Sequence, residues 1–388
     1  MNGARRSLRI AILCHSVNPR GGVVHALELA EALAALGHEP VVHAPDPAGA
    51  GFFRETGFET VSVPARPVQG SLADLVEARV GDYVAHFQDP AKARFDVFHA
   101  QDGISGNALA TLRDRRQAPA FARTAHHLDV FDDPRLDALQ KRSIATAGAQ
   151  YVVSRLWRDR LRVEFGLEAI VVGNGVDLRR FTPTPDGREA TLRQRLQLGA
   201  GPVVLAVGGV ERRKNTARIL EAFSQVHRIH SGARLIVAGG ASLLDHSDYH
   251  AEFARMLAAS GPAAEAVTLL GPVADDDMPA LYRIADVLAF PSVAEGFGLV
   301  TLEAMACGLP AVVSHIPPFT EYLDEGDAAW CDPLNPSSIA NAVMAALSEP
   351  LRSRLAASGF EAAARHGWRE VALAHLPEYE RLTEPALA

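Results

Sequence analysis

Short β-branched runs alternate with helical patterns along almost the whole chain, and they do so in two separate series. In the first series the runs fall at residues 8–14, 40–44, 59–63, 95–100, 120–125, 150–154 and 169–173. In the second they fall at 203–207, 233–238, 266–270, 286–290, 310–314 and 328–331. Such short β-branched runs read as strands buried on both faces, the habit of parallel sheets whose crossovers are helices. The helices between them carry matching stop signals, with Gly37 after 23–36 and Gly148 after 133–147. Between the series, Asn174 and Gly175 read as a tight-turn pair, and periodicity is lost through Pro183, Pro185, Asp186 and Gly187 until Pro202. The expectation is an α/β protein of two doubly wound, Rossmann-like parallel-sheet domains, 1–180 and 181–366, facing a central cleft. Past Asn335 the pattern is wholly helical, at 339–347, 351–365 and 368–382. These helices are expected to pack back across the junction, the segment 367–388 crossing to the N-terminal domain.

A chain of 388 residues has room for two ordinary cores. Its net charge of -8 argues against a nucleic-acid partner, which needs a basic face to neutralise phosphates. Cys14, Cys307 and Cys331 are an odd set without a CxxC pair, and they read as reduced thiols of a cytoplasmic protein. Arg5, Arg6 and Arg9 precede an apolar run too short for a signal peptide, so Ile10 to Leu13 reads as a first strand. No run of about 18 apolar residues predicts a membrane-spanning helix. A surface helix at 71–87 has Leu72, Leu75, Val76, Val80, Tyr83 and Val84 at helical spacing. Its polar face mixes Asp74, Glu77, Arg79 and Asp82, which is not built for anionic lipid, and peripheral association stays open.

Chemistry is sought at the C-terminal ends of the strands, the edge at which open parallel sheets bind ligands. The run Glu295 to Glu303, EGFGLVTLE, sets two carboxylates around a glycine turn that opens an otherwise apolar helix. Leu299, Val300, Leu302, Ala304, Met305, Ala306 and Cys307 leave that helix no solvent face, so Glu303 is expected to meet something polar. At about 1.5 Å per helical residue the carboxylates lie up to ~12 Å apart, roughly the span of a ribose, a diphosphate and a sugar in a row. Gly21 and Gly22 open the helix after the first strand, where bare N–H groups suit a phosphate and a flexible turn is the plainer alternative. Neither this loop nor the one after Val207 carries GxGxxG or a P-loop. Arg212, Arg213 and Lys214 follow the first strand of the second series. They form either a solvated basic turn or a group that neutralises a leaving diphosphate.

His126 and His127 lie just past a strand, where an imidazole can meet a sugar hydroxyl or handle a proton, although 15 histidines make a plain surface position common. His99 to Asp102 end another strand and are candidates for the acceptor side. Asp275, Asp276 and Asp277 spell a metal-binding DxD, yet they precede Met278, Leu281 and Tyr282 as cap and first-turn acids, the preferred reading. His246, Asp248 and His250 crowd together at no metal-ligand spacing and read as solvated surface.

With these motifs the chain resembles the family 4 retaining glycosyltransferases of the GT-B fold over nearly its whole length. Glu295 and Glu303 match the family's EX7E element, Gly21 and Gly22 its glycine loop, Lys214 its phosphate lysine, and His126 the histidine after Thr124 and Ala125. NGVD at Asn174 to Asp177 and the stretch from Ala285 to Ser292 are also similar to family signatures. The resemblance implies a hexosyltransferase that moves a sugar from a nucleotide-diphosphate sugar to a hydroxyl acceptor with retention, using no metal, no cofactor and no protein nucleophile. It implies an acceptor side in the first domain and a donor side in the second. It further implies that Glu303 binds the ribose hydroxyls, Glu295 the transferred sugar, and the amides of Phe297, Gly298 and Leu299 the donor. Gly22 would hold the distal phosphate, Lys214 the departing diphosphate, and His126 the sugar near its reactive carbon, which makes His126, Glu295 and Lys214 the catalytic set. One position departs from the pattern: the family's arginine five residues before the lysine is Gly209 here. Arg212 or Arg213 is left to supply the guanidinium.

The expected partners are a nucleotide-sugar donor and a small-molecule, lipid or glycan acceptor. A sugar-nucleotide epimerase of the same architecture is one alternative, poorly served by the glutamate pair. A catalytically idle nucleotide-sugar-binding protein is another, made tenable by Gly209.

Overall fold

The computed structural model describes residues 6–240 and 247–384; Arg5 and His246 lie outside the described residues. The chain divides into two compact units. One gathers the residues up to Asn174 with those from Trp368 onward, and the other is Gly175–Gly367.

In the first unit β1 (Arg9–Leu13), β2 (Glu39–Asp46), β3 (Glu59–Pro64), β4 (Val97–Ala100), β5 (Ala122–Ala125), β6 (Ala149–Val152) and β7 (Ile170–Val171) form one sheet. Its order is β3-β2-β1-β4-β5-β6-β7, with every neighbouring pair parallel. β4, β5 and β6 are buried at every position, although each includes polar residues: His99 in β4, Arg123 and Thr124 in β5, and Gln150 in β6. The helix Gly21–Ala35 ends at Gly37, whose φ of 89° only glycine adopts without strain. The helix Leu72–Phe87 opens with a reciprocal capping box between Ser71 and Asp74. Its Tyr83 hydroxyl shares its one proton between the carbonyls of Cys14 (2.6 Å) and His43 (2.7 Å), pinning the helix over the end of β1 and the middle of β2. Arg79 of that helix, whose spacing fits the apolar stripe as well as the polar face, is buried and paired with Asp82 at 2.7 Å.

The second unit repeats the plan with β8 (Val203–Val207), β9 (Arg234–Ala238), β10 (Val267–Gly271), β11 (Val287–Phe290), β12 (Ala311–Ser314) and β13 (Ala329–Cys331). The order is β10-β9-β8-β11-β12-β13, again parallel throughout. Each sheet therefore reverses direction of growth beside its first strand, between β1 and β4 and between β8 and β11, and a crevice opens at such a point. Cys14, Cys307 and Cys331 are free and buried. No helix among the described residues is long and apolar enough to cross a membrane.

Several expectations are corrected. Gly148 does not cap the helix Pro134–Ala145, which ends at Thr146; its N–H bonds the Phe121 carbonyl at 2.8 Å on the way into β6. The pair Asn174 and Gly175 forms no turn; the left-handed residue is Gly173 (φ 68°), and Asn174 is buried with its side-chain oxygen 2.5 Å from Nδ1 of His25. The stretch without periodicity contains a helix, Arg188–Arg195. It is tied down by charge: Arg195 pairs with Asp277 at 3.3 Å, and Glu189 with Arg283 at 2.5 Å. Asp275, with Arg180 at 2.8 Å, completes this set, so the three aspartates are ion-pair partners and none caps the helix Met278–Ile284 through its side chain. Asp248 and His250 are exposed on the helix Ser247–Ala259. Of the last helices, Pro336–Ala346 and Leu351–Ala364 pack within the second unit, against Thr216–Ile229 and Leu299–Ala306. Only Trp368–Thr383 belongs to the first, where it packs on Gly21–Ala35.

The first unit also buries neutral imidazoles. Burial pulls His25 down to about 4, and His43 and His375 down to about 3. An unfolded chain protonates these groups near pH 6.5, so stability is lost as pH falls from about 6.5 towards 4, at a rate approaching ~1.4 kcal/mol per pH unit for each histidine. Urea unfolding followed by tryptophan fluorescence is expected to show a falling midpoint from pH 7 to 5. A level midpoint contradicts this account.

Candidate functional site

The exits of β8 and β11, neighbours at the switch point of the second sheet, carry the two loops that bring Lys214 and Glu295 together. After β8 the chain turns at Gly208 (φ 123°) and Gly209 (φ 75°), and both N–H groups bond the Ala238 carbonyl. Asn215, left-handed at φ 63°, starts the helix Thr216–Ile229 and donates through its amide to the carbonyls of Pro291 (2.9 Å) and Pro333 (2.6 Å). Val293 N–H bonds the Arg213 carbonyl at 3.0 Å, so the two loops are fastened to each other. Lys214 Nζ then lies 2.7 Å from Glu295 Oε1, and Arg213 Nη1 lies 2.7 Å from Oε2.

The Glu295 side chain is only 6% exposed and that of Lys214 13%. Burial pushes the carboxyl up, but Lys214 and Arg213 more than offset it and hold Glu295 below its ordinary value. Burial likewise draws Lys214 down, with Glu295 opposing. The ammonium also sits 4.4 Å from the centre of the Phe290 ring, a cation–π contact. Gly208 makes this possible: a Cβ there would lie 2.7 Å from Lys214 Cε and 2.9 Å from Cδ and Cγ.

Of the two candidate arginines, the structure brings only Arg213 to Lys214. Arg212 turns the other way, 3.6 Å from Glu252 and 4.9 Å above the Tyr249 ring. A longer residue at Gly209 would be strained in this backbone. Its φ is left-handed, and a Cβ would come 3.0 Å from the Gly240 carbonyl oxygen and 3.1 Å from that of Gly239.

Glu295 precedes the helix Leu299–Ala306, separated from it by the left-handed Gly298 (φ 96°). The 1.5 Å rise therefore does not run between the two glutamates, and the ~12 Å estimate loses its basis. A Cβ on Gly298 would strike Phe319 at 2.8 Å, and no side chain caps the helix there. Phe297 is buried, stacked on Tyr322 at 4.3 Å. Glu303 is half-buried rather than enclosed, and Leu299 and Val300 are partly exposed on the same face. Its Oε2 accepts from the Tyr282 hydroxyl at 2.7 Å; burial first, and then Glu303, keep that phenol protonated.

In the first unit, Gly21 and Gly22 are the first residues of their helix, and Arg20 at its N-cap makes no side-chain cap. His126 lies over Gly22, where a Cβ would be 3.3 Å from its Cδ2. The sequence candidates Gly22 and His126 thus meet. His126 is held neutral, well below its ordinary value, by burial first and then by His25 and Arg123. His127 is exposed and 3.3 Å from Asp129. His99 and Asp102 turn out to be structural: His99 is fully buried, and Asp102 caps the helix Gly103–Asp114. Sequence reading gave no individual role to Gln101, Phe290, Tyr282 or Gly208, although Gln101 falls within the 99–102 stretch and Phe290 within 285–292.

The glycines give a direct check. Gly208→Ala is expected to cost ~1–3 kcal/mol, because a left-handed φ and the Lys214 stem both oppose it. Gly21→Ala, whose Cβ meets nothing within 4 Å, is expected to be neutral or slightly stabilising. Urea unfolding of both variants measures the contrast; equal effects contradict the packing described.

Comparison with known proteins adds the family. The model described as Glycosyl transferases group 1 matches residues 188–362, and that described as Glycosyltransferase Family 4 matches residues 19–180. D-inositol 3-phosphate glycosyltransferase of Xylanimonas cellulosilytica is 30% identical over 98% of this chain and 98% of its own. Phosphatidyl-myo-inositol mannosyltransferase of Mycobacterium tuberculosis is 27% identical over 96% of this chain and 97% of its own. Among solved structures, sucrose-phosphate synthase of Thermosynechococcus elongatus aligns with a TM-score of 0.80 at 22% identity, covering 97% of this chain and 99% of that one. Anabaena HepE in complex with UDP and glucose aligns at 0.76 and 20% identity, covering 97% and 100%. These structural likenesses bear on the fold alone, which is GT-B with two parallel-sheet, Rossmann-like domains. Matched by both family models and by a relative along its whole length, the chain belongs to the family 4 glycosyltransferases, enzymes that draw on nucleotide-sugar donors.

Proposed function

We propose that this chain is a retaining, metal-independent hexosyltransferase that moves a sugar from a nucleotide-diphosphate sugar to a hydroxyl of an inositol-class polyol. The observation that carries the reading is the meeting of Lys214, Arg213 and Glu295 at the switch point of the second sheet. As the bond from the sugar carbon to the diphosphate oxygen breaks, negative charge gathers on the departing group. Cations already fixed by ion pairing, Lys214 largely buried and Arg213 half-exposed, stabilise it with little reorganisation. Lys214 and Arg213 take that charge, Arg213 replacing the guanidinium that Gly209 cannot carry. Glu295, kept ionised, accepts hydroxyls of the transferred sugar on its remaining lone pairs. Glu303, steadied by Tyr282, takes the ribose hydroxyls, with the amides of Phe297, Gly298 and Leu299 alongside. Gly22 is assigned to the distal phosphate and His126 to the sugar.

Both Glu295 oxygens are held by cations, which makes it a poor nucleophile and supports retention without a covalent intermediate. The acceptor hydroxyl then forms its bond to the sugar carbon on the face from which the diphosphate leaves. Its proton passes to the leaving phosphate oxygen. Metal independence is supported by the same two cations and by the engagement of Asp275, Asp276 and Asp277 with arginines. Relatives named for inositol phosphate and phosphatidyl-myo-inositol support a polyol acceptor. The acidic outer face of the helix Leu72–Phe87, with Asp74 and Glu77 half exposed, favours a small acceptor over a membrane-bound one. Three buried free thiols favour a cytoplasmic setting. The relatives do not favour an epimerase.

The test is incubation with UDP-, GDP- and ADP-sugars plus inositol phosphate, with chelator present. Release of nucleoside diphosphate and a product of unchanged anomeric configuration are expected; an inverted product, or activity lost to chelator, refutes the reading. Arg213→Ala is expected to weaken nucleoside-diphosphate binding by about tenfold or more, as loss of a charge-assisted bond would. Arg212→Ala is expected to leave that affinity unchanged. Calorimetric titration separates the two, and equal losses would return the assignment of the guanidinium to question.

A further inference from the structure

Nε2 of His126 lies 2.9 Å from Oε1 of Gln101, a residue only 2% exposed. Gln101 follows the last residue of β4 and His126 the last residue of β5, and these parallel neighbours deliver both side chains to one edge of the sheet. Behind Gln101 stands His99, whose ring is held at both nitrogens. Nδ1 is 2.6 Å from the Tyr379 hydroxyl and Nε2 is 2.7 Å from Oγ1 of Thr124. The Gln101 amide nitrogen is 3.3 Å from each of those ring nitrogens. With the in-plane positions of the imidazole taken, an amide N–H can rest against its electron-rich face, whereas an amide oxygen would be repelled there. The amide is thereby oriented with its oxygen towards His126. A carbonyl oxygen only accepts, so Nε2 of His126 must carry the ring proton.

We propose that Gln101 is a positioning residue that fixes His126 as the Nε2–H tautomer, leaving Nδ1 to accept a hydrogen bond from a hydroxyl of the transferred sugar. This rests on the reading of His126 as the sugar-contacting imidazole. The ring is confined on its other sides by Gly22, which has no Cβ to obstruct it, and by His25, edge-on at 4.8 Å. The titratable groups facing it are His25, His99, His127 and Arg123, all of which oppose a second proton on the ring. Tyr379 and Thr124 act one step further back, through His99. The helix Trp368–Thr383 thus takes part in aiming His126 from within the first unit. Neither Gln101 nor Tyr379 lies in a motif that points to such a role.

Nitrogen NMR of the wild-type protein with isotopically labelled histidine reads the tautomer directly, the His126 signals being assigned by their loss in His126→Ala. A protonated Nε2 and a bare Nδ1 are expected; a proton on Nδ1 overturns the proposal, whatever the variants do. Gln101→Leu is expected to give mixed tautomers and to lower kcat by about tenfold, the scale of one unsatisfied buried donor, with little change in the KM of the donor. Gln101→Glu places a carboxylate against Nε2 and drives His126 to the imidazolium. Its activity is expected to climb with pH over a range in which the wild type is level. A Gln101→Glu profile that superimposes on the wild type, or a Gln101→Leu enzyme with unaltered kcat and tautomer, overturns the positioning role. Full activity of His126→Ala together with a protonated Nε2 would instead remove the sugar contact while leaving the tautomer assignment standing.

Discussion

Glu295 is buried as an ion, and that requirement organises the second unit around it. An unpartnered carboxylate in such a place would be very costly, and removing one partner from a buried ionic cluster typically costs ~3–5 kcal/mol. Lys214 and Arg213 must therefore arrive at its two oxygens whenever the unit folds. Strand order brings them there. β8 and β11 are neighbours although three helices and two strands separate them in the chain, and each delivers one side of the cluster as it leaves the sheet. The left-handed Asn215, its amide bonds to Pro291 and Pro333, and the Thr216 hydroxyl on the Gly209 carbonyl (2.8 Å) are then the means of holding the cations in register.

Several glycines serve this arrangement by the space they leave. Gly208 admits the stem of Lys214, Gly298 admits Phe319, and Gly22 admits the ring of His126. Gly209 follows the same logic: its φ is left-handed and a Cβ would press on the carbonyls of Gly239 and Gly240, while Arg213 reaches the Glu295 carboxylate from the adjoining turn.

The central strands were legible because a strand covered on both faces is mostly apolar, a signal that needs no neighbours to interpret. The helix Arg188–Arg195 was not, because ion pairs to the 275–277 aspartates and Arg283 hold it, and only Leu192 within it is buried. The candidate loops were marked in the sequence by Glu295, Glu303, Lys214 and His126. Which adjoining arginine faces the site depends on a backbone turn that spacing does not reveal, and Arg212 and Arg213 look alike in sequence. The enclosure of Glu303 was overread, since Leu299 and Val300 beside it keep a partly exposed face that apolar composition alone conceals. Gln101 fell inside the 99–102 stretch, but its contacts could not be read there: they involve His99 and, behind it, Thr124 and Tyr379, the last 280 positions from the histidine it holds.

The central claim is that Lys214, poised on Glu295, is there for the phosphate that leaves with the nucleotide. Calorimetric titration of Lys214→Met and wild type with nucleoside di- and monophosphates of uridine, guanosine and adenosine tests it most directly. For whichever base binds, the account predicts that the substitution weakens the diphosphate by about 10- to 100-fold, as loss of a charge-assisted contact would, and leaves the monophosphate nearly unchanged. Equal loss for both, or none for the diphosphate, would contradict it.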